Sequence, residues 1–117
     1  MASSLQGIRV IDWTIWQQGP QATSMLGDLG AEVIKIELRA TGETSRNIMD
    51  IIKTMADIPD CWNYYFEYFN RNKKSLTLDL KKAQAREIIY RLVEKSDVFV
   101  QNFRKGVPER LGLDYKT

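Results

Sequence analysis

Four short apolar segments recur along the chain, and polar or basic residues follow each of them. The segments at 10–13, 33–36, 76–80 and 98–100 have the lengths and apolar patterns of strands. Helical patterns separate the first pair and the last pair. Strands joined by such short connections pair in parallel through right-handed crossovers. We therefore expect an α/β fold in which a small, four-stranded parallel sheet is flanked by helices, and a sheet of this size suggests part of a larger one.

Helix signals lie between these strands. One helix is predicted from Pro20 to Gly30, because Pro suits a first turn and Gly suits the left-handed residue after a helix. Its apolar face is formed by Ala22, Met25, Leu26 and Leu29. A second helix is predicted over about 82–95, and a last short one between Pro108 and Gly112.

The segment 40–62 has the least regular pattern. Gly42, Pro59 and Asp60 indicate turns. The stretch 47–56 fits a helix, and we expect its inward residues to be Ile48, Ile51, Ile52 and Met55.

Composition narrows the class of protein. The 117 residues have a net charge of +2 and include no histidine. The chain thus lacks the basic field typical of nucleic-acid binders and the commonest general base and metal ligand, and we expect no metal. Cys61 alone cannot form an internal disulfide, which favours a reducing, cytoplasmic setting. No stretch approaches the roughly 20 apolar residues of a membrane span, so we expect no membrane partner.

Polar and basic side chains collect where the predicted strands end. Gln17 and Gln18 follow the first strand, Lys81 follows the third, and Arg104 and Arg110 follow the fourth. Ligands of open α/β sheets bind outside the carboxyl ends of the strands, and arginines there suit phosphate. Each of these segments, taken singly, also fits a polar turn or an exposed loop.

A second basic segment has two interpretations. Arg71, Lys73 and Lys74 follow a run of aromatic residues at 62–69. This pattern occurs where nucleic acid or a nucleotide-like cofactor binds, but also in a solvated loop beside buried aromatic residues. The near-neutral net charge disfavours nucleic acid, and we expect no such partner. These cations would also lie at the amino end of a strand, away from the expected ligand edge.

The acidic residues form no diagnostic pattern. Asp12, Asp28 and Asp79 are each interpreted as a local hydrogen-bond acceptor or a solvated charge. Lys35 and Glu37 alternate with apolar residues in the second strand, which indicates that this strand is only partly covered. Glycine-rich nucleotide fingerprints and nucleophile elbows are absent from the sequence.

Five motifs in a fixed order are more specific than any one of them. They are LQGIRVID at 5–12, QQGP at 17–20, DLGAEVIKIE at 28–37, NRNKKSLTLDL at 70–80 and NFRKGVPERLG at 102–112. From about Leu5 to Tyr115, the chain resembles the amino-terminal region of the class III CoA-transferases. That family includes formyl-CoA transferase and the carnitine and bile-acid CoA-transferases.

The resemblance implies a Rossmann-like, three-layer large domain, of which residues 1–117 would be the amino-terminal part. It implies movement of CoA from an acyl-CoA to a carboxylic acid, with CoA as a substrate. It also implies a homo-oligomer, because two chains interlock in the family. The catalytic aspartate of the family attacks the thioester. No aspartate of this chain matches it, so we expect no transfer by the chain alone. A non-catalytic binding or scaffold module derived from the family is the alternative.

The resemblance also implies CoA contacts at matching positions. Gln17 and Gln18 match the loop near the thioester end and the pantetheine arm. The stretch beside the adenosine is matched by Leu78, Asp79, Leu80 and Lys81. The loop and helix that hold the nucleotide and pyrophosphate are matched by Asn102, Phe103, Arg104 and Arg110. Leu38 stands where formyl-CoA transferase has a phosphate-binding arginine, and we expect the adjacent Arg39 to substitute for it.

Overall fold

The computed structural model describes residues 3–55 and 62–117 and has a four-stranded, all-parallel sheet in the order β3-β2-β1-β4. The strands are β1 (Arg9–Trp13), β2 (Glu32–Leu38), β3 (Lys73–Leu78) and β4 (Val98–Gln101). The predicted α/β class and the parallel pairing are confirmed. Each strand is found where its apolar segment predicts it, within a few residues.

Five α-helices connect or flank these strands in the described part of the chain, and a short 3-10 helix at Thr44–Asn47 precedes the second of them. The α-helices are α1 (Gln18–Asp28), α2 (Ile48–Met55), α3 (Tyr64–Asn70), α4 (Ala83–Val93) and α5 (Val107–Leu111). Gly30 has a φ of 97°, so it is the left-handed residue predicted after α1. Ala56, the predicted turn at Pro59 and Asp60, and Cys61 lie outside the described residues. No helix among the described residues is long and apolar enough to span a membrane.

The face of the sheet that packs against α4 and α5 is apolar. Ile11, Trp13 and Ile36 of the sheet pack there against Ile89 of α4, and all four side chains are buried. Removal of this apolar surface from water is the main favourable contribution to folding. The opposite face packs against α1, so the three-layer arrangement is confirmed.

The α1 side of the sheet is apolar near its amino edge and charged near its carboxyl edge. Near the amino edge, Val10 and Val33 belong to a small apolar cluster. Further along the same strands, Asp12, Lys35 and Glu37 are 0%, 1% and 3% exposed. The expectation that β2 is only partly covered is therefore wrong. The charges are tolerated because they are paired with one another and with hydroxyl and backbone groups.

Asp12 is the hub of these buried charges. It accepts hydrogen bonds from the hydroxyls of Thr14 and Thr23 and from the Lys73 ammonium, the last at 2.8 Å. The Lys35 ammonium lies 3.8 Å from the same carboxylate and donates to the Thr14 carbonyl. Burial lowers the pKa of Lys73 to about 8, although the Asp12 carboxylate acts to raise it.

Helix α1 packs on the sheet through small and polar residues. Gly19, Thr23 and Ser24 are buried, whereas Met25 and Leu29 on the apolar face are about half exposed. A Cβ atom at Gly19 would lie 2.6 Å from the Thr14 Cβ atom, so only glycine permits this close approach. Helix α1 is therefore held by hydrogen bonds to Asp12 and to α3, as well as by close van der Waals packing at Gly19.

Two further expectations about burial are corrected. In α2, Ile48 and Ile52 are half-buried, but Ile51 and Met55 are exposed and Met49 is the buried residue. The buried face of this helix therefore coincides only in part with the predicted one. In α3, Phe66 and Phe69 are buried, but Tyr64 and Tyr68 are more than half exposed. The aromatic run is only partly a core.

The three cations of the basic segment all bind carboxylates of the same chain. Lys73 pairs with Asp12, Arg71 pairs with Asp28 at 2.5 Å, and Lys74 pairs with Glu32 at 2.7 Å. Asp12 is a local hydrogen-bond acceptor, as one of its two interpretations predicted, since it accepts from Thr14. The alternative of a solvated charge is wrong, since Asp12 is buried and its partners include a lysine 61 positions away. These pairs give the segment a structural role.

Neutralising the hub should destabilise the whole domain. In Asp12→Asn, Lys35 and Lys73 would lose their buried counter-charge, and we expect a loss of about 3–5 kcal/mol in the free energy of unfolding at pH 7. Glu87→Ala removes an exposed ion pair with Arg91 and should change it by less than about 0.5 kcal/mol. Urea unfolding measures both. Equal stabilities of Asp12→Asn and the parent chain would contradict the assigned role of Asp12.

Candidate ligand-binding groove

The order of the strands defines one edge of the sheet as the ligand edge. The chain runs outward from β1 to β2 and β3, then crosses back to place β4 on the other side of β1. The carboxyl ends of β1 and β4 therefore flank a topological switch point. In open parallel sheets the crevice at such a point is where ligands bind.

A groove of about 330 Å³ opens at this edge. It brings together five of the predicted site residues, namely Leu78, Asp79, Leu80, Lys81 and Phe103. Its floor is apolar, since Trp13 and Phe103 stack with their ring centroids 4.3 Å apart. An apolar floor with a few polar groups at the rim is typical of small-molecule sites.

The predicted residues after β3 have different roles within the groove. Leu80 is 5% exposed and belongs to its apolar wall. Asp79 accepts a hydrogen bond from the Lys81 backbone N–H and so shapes the turn that precedes α4. The Lys81 side chain is exposed and lines the groove.

The predicted residues after β1 and β4 meet at the switch point. The Asn102 side-chain amide donates to the Ile15 carbonyl at 2.8 Å and accepts from the Ile15 N–H at 2.9 Å. This amide therefore joins the two loops through the backbone. Gln17 and Gln18 lie two and three residues beyond Ile15; both are exposed, and their side-chain amides have no partner within residues 3–55 and 62–117.

Exposed cations around the carboxyl edge form no ion pair or side-chain hydrogen bond within the described residues. They include the predicted site residues Arg39 after β2, Lys81 after β3, and Arg104 and Arg110 after β4, as well as the neighbouring Lys82 and Lys105. The cations of the 71–74 segment, at the amino edge, are instead all paired. Free positive charge is therefore available where a phosphorylated ligand would lie.

Sequence reasoning missed three charged residues beside the groove, namely Glu37, Glu43 and Arg46. Glu37 accepts a forked ion pair from Arg46 at 2.6 and 2.7 Å and a hydrogen bond from Ser75. Glu43 lines the groove and is 2% exposed. The alternation of Lys35 and Glu37 with apolar residues was visible in the sequence, but it was interpreted as partial exposure of the strand. The strand is covered instead, and charges inside a covered strand require partners. Glu43 and Arg46 lie in the irregular 40–62 segment, where no periodicity marks them.

Burial alone would raise the pKa of the Glu37 carboxyl. The hydrogen bonds from Arg46, Ser75 and the Glu43 N–H outweigh that effect and lower the pKa from 4.5 to about 2. Glu37 thus stays ionised throughout the neutral and mildly acidic range.

Groups that could bind a metal are not part of this edge. Within residues 3–55 and 62–117, no cluster of three or more His, Cys, Asp or Glu side chains is arranged to hold an ion.

A second, wider cavity of about 1230 Å³ borders β4, α4 and α5 and includes Phe103. Because β4 pairs with β1 and with no other strand of the described residues, this cavity lies beside an open sheet edge.

Fold and groove define an α/β protein with a groove at the carboxyl edge of a parallel sheet. The family model described as CoA-transferase family III matches residues 5–117. The chain therefore belongs to CoA-transferase family III, which confirms the resemblance inferred from the motifs.

Curated relatives that match this chain include proteins much longer than it. It is 38% identical over 116 residues to the formyl-CoA:oxalate CoA-transferase of Afipia carboxidovorans, covering 99% of this chain and 26% of the relative. Identity to the Streptomyces avermitilis enzyme of the same name is 41% over 115 residues, covering 98% and 26%. The chain thus spans about a quarter of the length of these relatives.

Solved structures that match this chain are likewise longer than it. A hypothetical protein from Mycobacterium tuberculosis superposes with a TM-score of 0.84 at 41% identity, covering 98% of this chain and 29% of that protein. A CAIB/BAIF family protein from Brucella suis superposes with a TM-score of 0.81 at 33% identity, covering 99% and 30%. The four-stranded sheet is thus matched within larger structures.

Acid should weaken the groove through Glu37. Because its folded-state pKa is lowered from 4.5 to about 2, its stabilisation is present above pH 4.5 and is lost as pH falls towards 2. The loss should approach about 3 kcal/mol. Urea unfolding between pH 2 and 6 should show a shallower pH dependence for Glu37→Gln than for the parent chain. Identical slopes for the two proteins would contradict this assignment.

Proposed function

We propose that this chain forms the CoA-binding part of an acyl-CoA:carboxylate CoA-transferase. One observation supports this most directly: an apolar groove at the carboxyl edge of the sheet is lined by Lys81, and the loops at the same edge carry further exposed cations without a partner among the described residues. CoA combines phosphates with an adenine and an extended pantetheine arm, and these call for cations and an apolar surface respectively. The membership of CoA-transferase family III gives this ligand precedence over other nucleotides.

The proposed ligand runs across the groove from the basic rim to the β1–α1 loop. Arg39, Arg104 and Arg110 contact its phosphates, and guanidinium groups suit this role because they donate in a fixed fork. Phe103 and the 78–81 turn lie beside the adenosine. Exposed Gln17 and Gln18 hold the arm near the thioester through their unpartnered amides.

The same geometry leads us to assign binding, and not the nucleophilic step, to this chain. A carboxylate that attacks a thioester must be reachable by it. Asp12 is 0% exposed and its oxygens accept from two hydroxyls and a lysine. Glu37 is held by Arg46 and Ser75. The acyl donor, the acceptor acid and the transfer reaction itself are proposed for a longer protein of this family.

We also propose that the protein assembles as a homo-oligomer in a reducing, cytoplasmic setting. Large apolar side chains support the assembly, since Met55 and Trp62 are 82% and 80% exposed. Exposed apolar groups together with open sheet edges favour association. The setting is proposed from the single Cys61.

Calorimetric titration with CoA tests the binding proposal. We expect saturable binding by the purified chain, with weaker binding of 3′-dephospho-CoA because one phosphate is missing. Arg104→Ala should weaken CoA binding by about tenfold, which corresponds to one lost charge-assisted hydrogen bond.

Lys95→Ala is the matched control, because Lys95 is an exposed cation before the amino end of β4. It should leave CoA affinity unchanged. Equal losses in Arg104→Ala and Lys95→Ala would indicate only a diffuse attraction of anions. No heat at millimolar CoA would overturn the proposal for this chain and favour the scaffold alternative.

A further inference from the structure

The β1–α1 loop contains a residue in an unfavourable conformation. Trp16 has a φ of 68°, in the left-handed region that residues other than glycine, asparagine and aspartate rarely adopt. The next two residues are Gln17 and Gln18. An unfavourable backbone conformation persists only where surrounding contacts hold it in place.

Glu43 supplies one such contact from the loop after β2. Its Oε1 atom accepts the Trp16 backbone N–H at 2.7 Å, and its Oε2 atom accepts the Ser45 hydroxyl. Its own N–H donates to Glu37 Oε2 at 2.9 Å. With only 2% of the residue exposed, this carboxylate has no freedom to follow a moving loop.

Asn102 holds the preceding residue from the other side. Its amide makes two hydrogen bonds to the backbone of Ile15. Consecutive residues of the loop are thus fixed by side chains from opposite neighbours of β1, namely Asn102 after β4 and Glu43 after β2. Gln17 and Gln18 follow directly, so their direction depends on both anchors.

We infer that Glu43 is a positioning residue, which holds Trp16 left-handed and thereby sets the position of Gln17 and Gln18, two and three residues beyond the groove-lining Ile15. This inference rests on the proposed CoA-binding function and adds a residue that never touches the ligand. The positioning role of Glu43 requires a hydrogen-bond acceptor and not a negative charge. A glutamine at position 43 can accept from the Trp16 N–H and donate to Ser45, whose hydroxyl can turn to accept.

Hydrogen exchange of the Trp16 amide tests the positioning directly and needs no ligand. In the parent chain this amide should be protected. Glu43→Ala should reduce its protection by about tenfold or more, since a hydrogen bond to a charged acceptor is lost. Glu43→Gln should stay within about threefold of the parent, because the acceptor is retained.

CoA titration of the same variants then links the loop to binding. Glu43→Ala should weaken affinity by about tenfold, and Glu43→Gln by no more than about threefold. Ser75→Ala is the control, because it removes a hydrogen bond from the adjacent buried carboxylate of Glu37. It should lower stability but leave both the Trp16 amide and CoA affinity unchanged.

Three results would overturn the inference. An unprotected Trp16 amide in the parent chain would do so even if Glu43→Ala fails to fold. Unchanged CoA affinity in a folded Glu43→Ala would do so too. Equal losses in Ser75→Ala and Glu43→Ala would show a purely structural effect. If the parent chain binds no CoA, the proposed function fails instead, and Trp16 exchange alone decides whether Glu43 holds the loop.

Discussion

The ion pair between Lys73 and Asp12 joins two strands that are not neighbours in the sheet. Lys73 lies on β3, Asp12 on β1, and the ammonium reaches across β2 to within 2.8 Å of the carboxylate. Lys35 of β2 lies beside the same carboxylate. A slip of any one strand would leave a charge buried without its partner, which costs far more than an intact pair contributes. The register of three strands therefore depends on this cluster.

The two faces of the sheet have different packing requirements. The α4 face buries a continuous apolar core, which needs little more than the right volume, and part of this core, including Trp13 and Phe103, forms the floor of the groove. The α1 face buries charges and hydroxyls, which need defined partners and directions. Glu37 and Glu43 extend this network to the wall of the groove.

The sequence predicted the parts that depend on local pattern. Strands, the main helices and parallel pairing follow from apolar periodicity and connection length, and the structure has each of them. The ligand edge stays a prediction. The burial of Lys35 and the exposure of Met25 and Ile51 did not follow. Periodicity identifies an apolar face, but it does not say whether another layer covers that face. The site was predicted through motifs, yet the hydrogen bonds from Asn102 and Glu43 to the β1–α1 loop appear only when distant segments meet.

The sequence by itself determined the fold class, the membership of CoA-transferase family III and the residues that collect at the carboxyl edge. These follow because strand and helix periods and motif spacings are properties of neighbouring residues along the chain. Only the tertiary structure decided which charges are paired. Lys73 and Arg104 are both cations near strand ends, yet Lys73 is paired with Asp12, whereas Arg104 has no partner among the described residues. That difference is set by what the fold brings within about 4 Å, and no local pattern contains it.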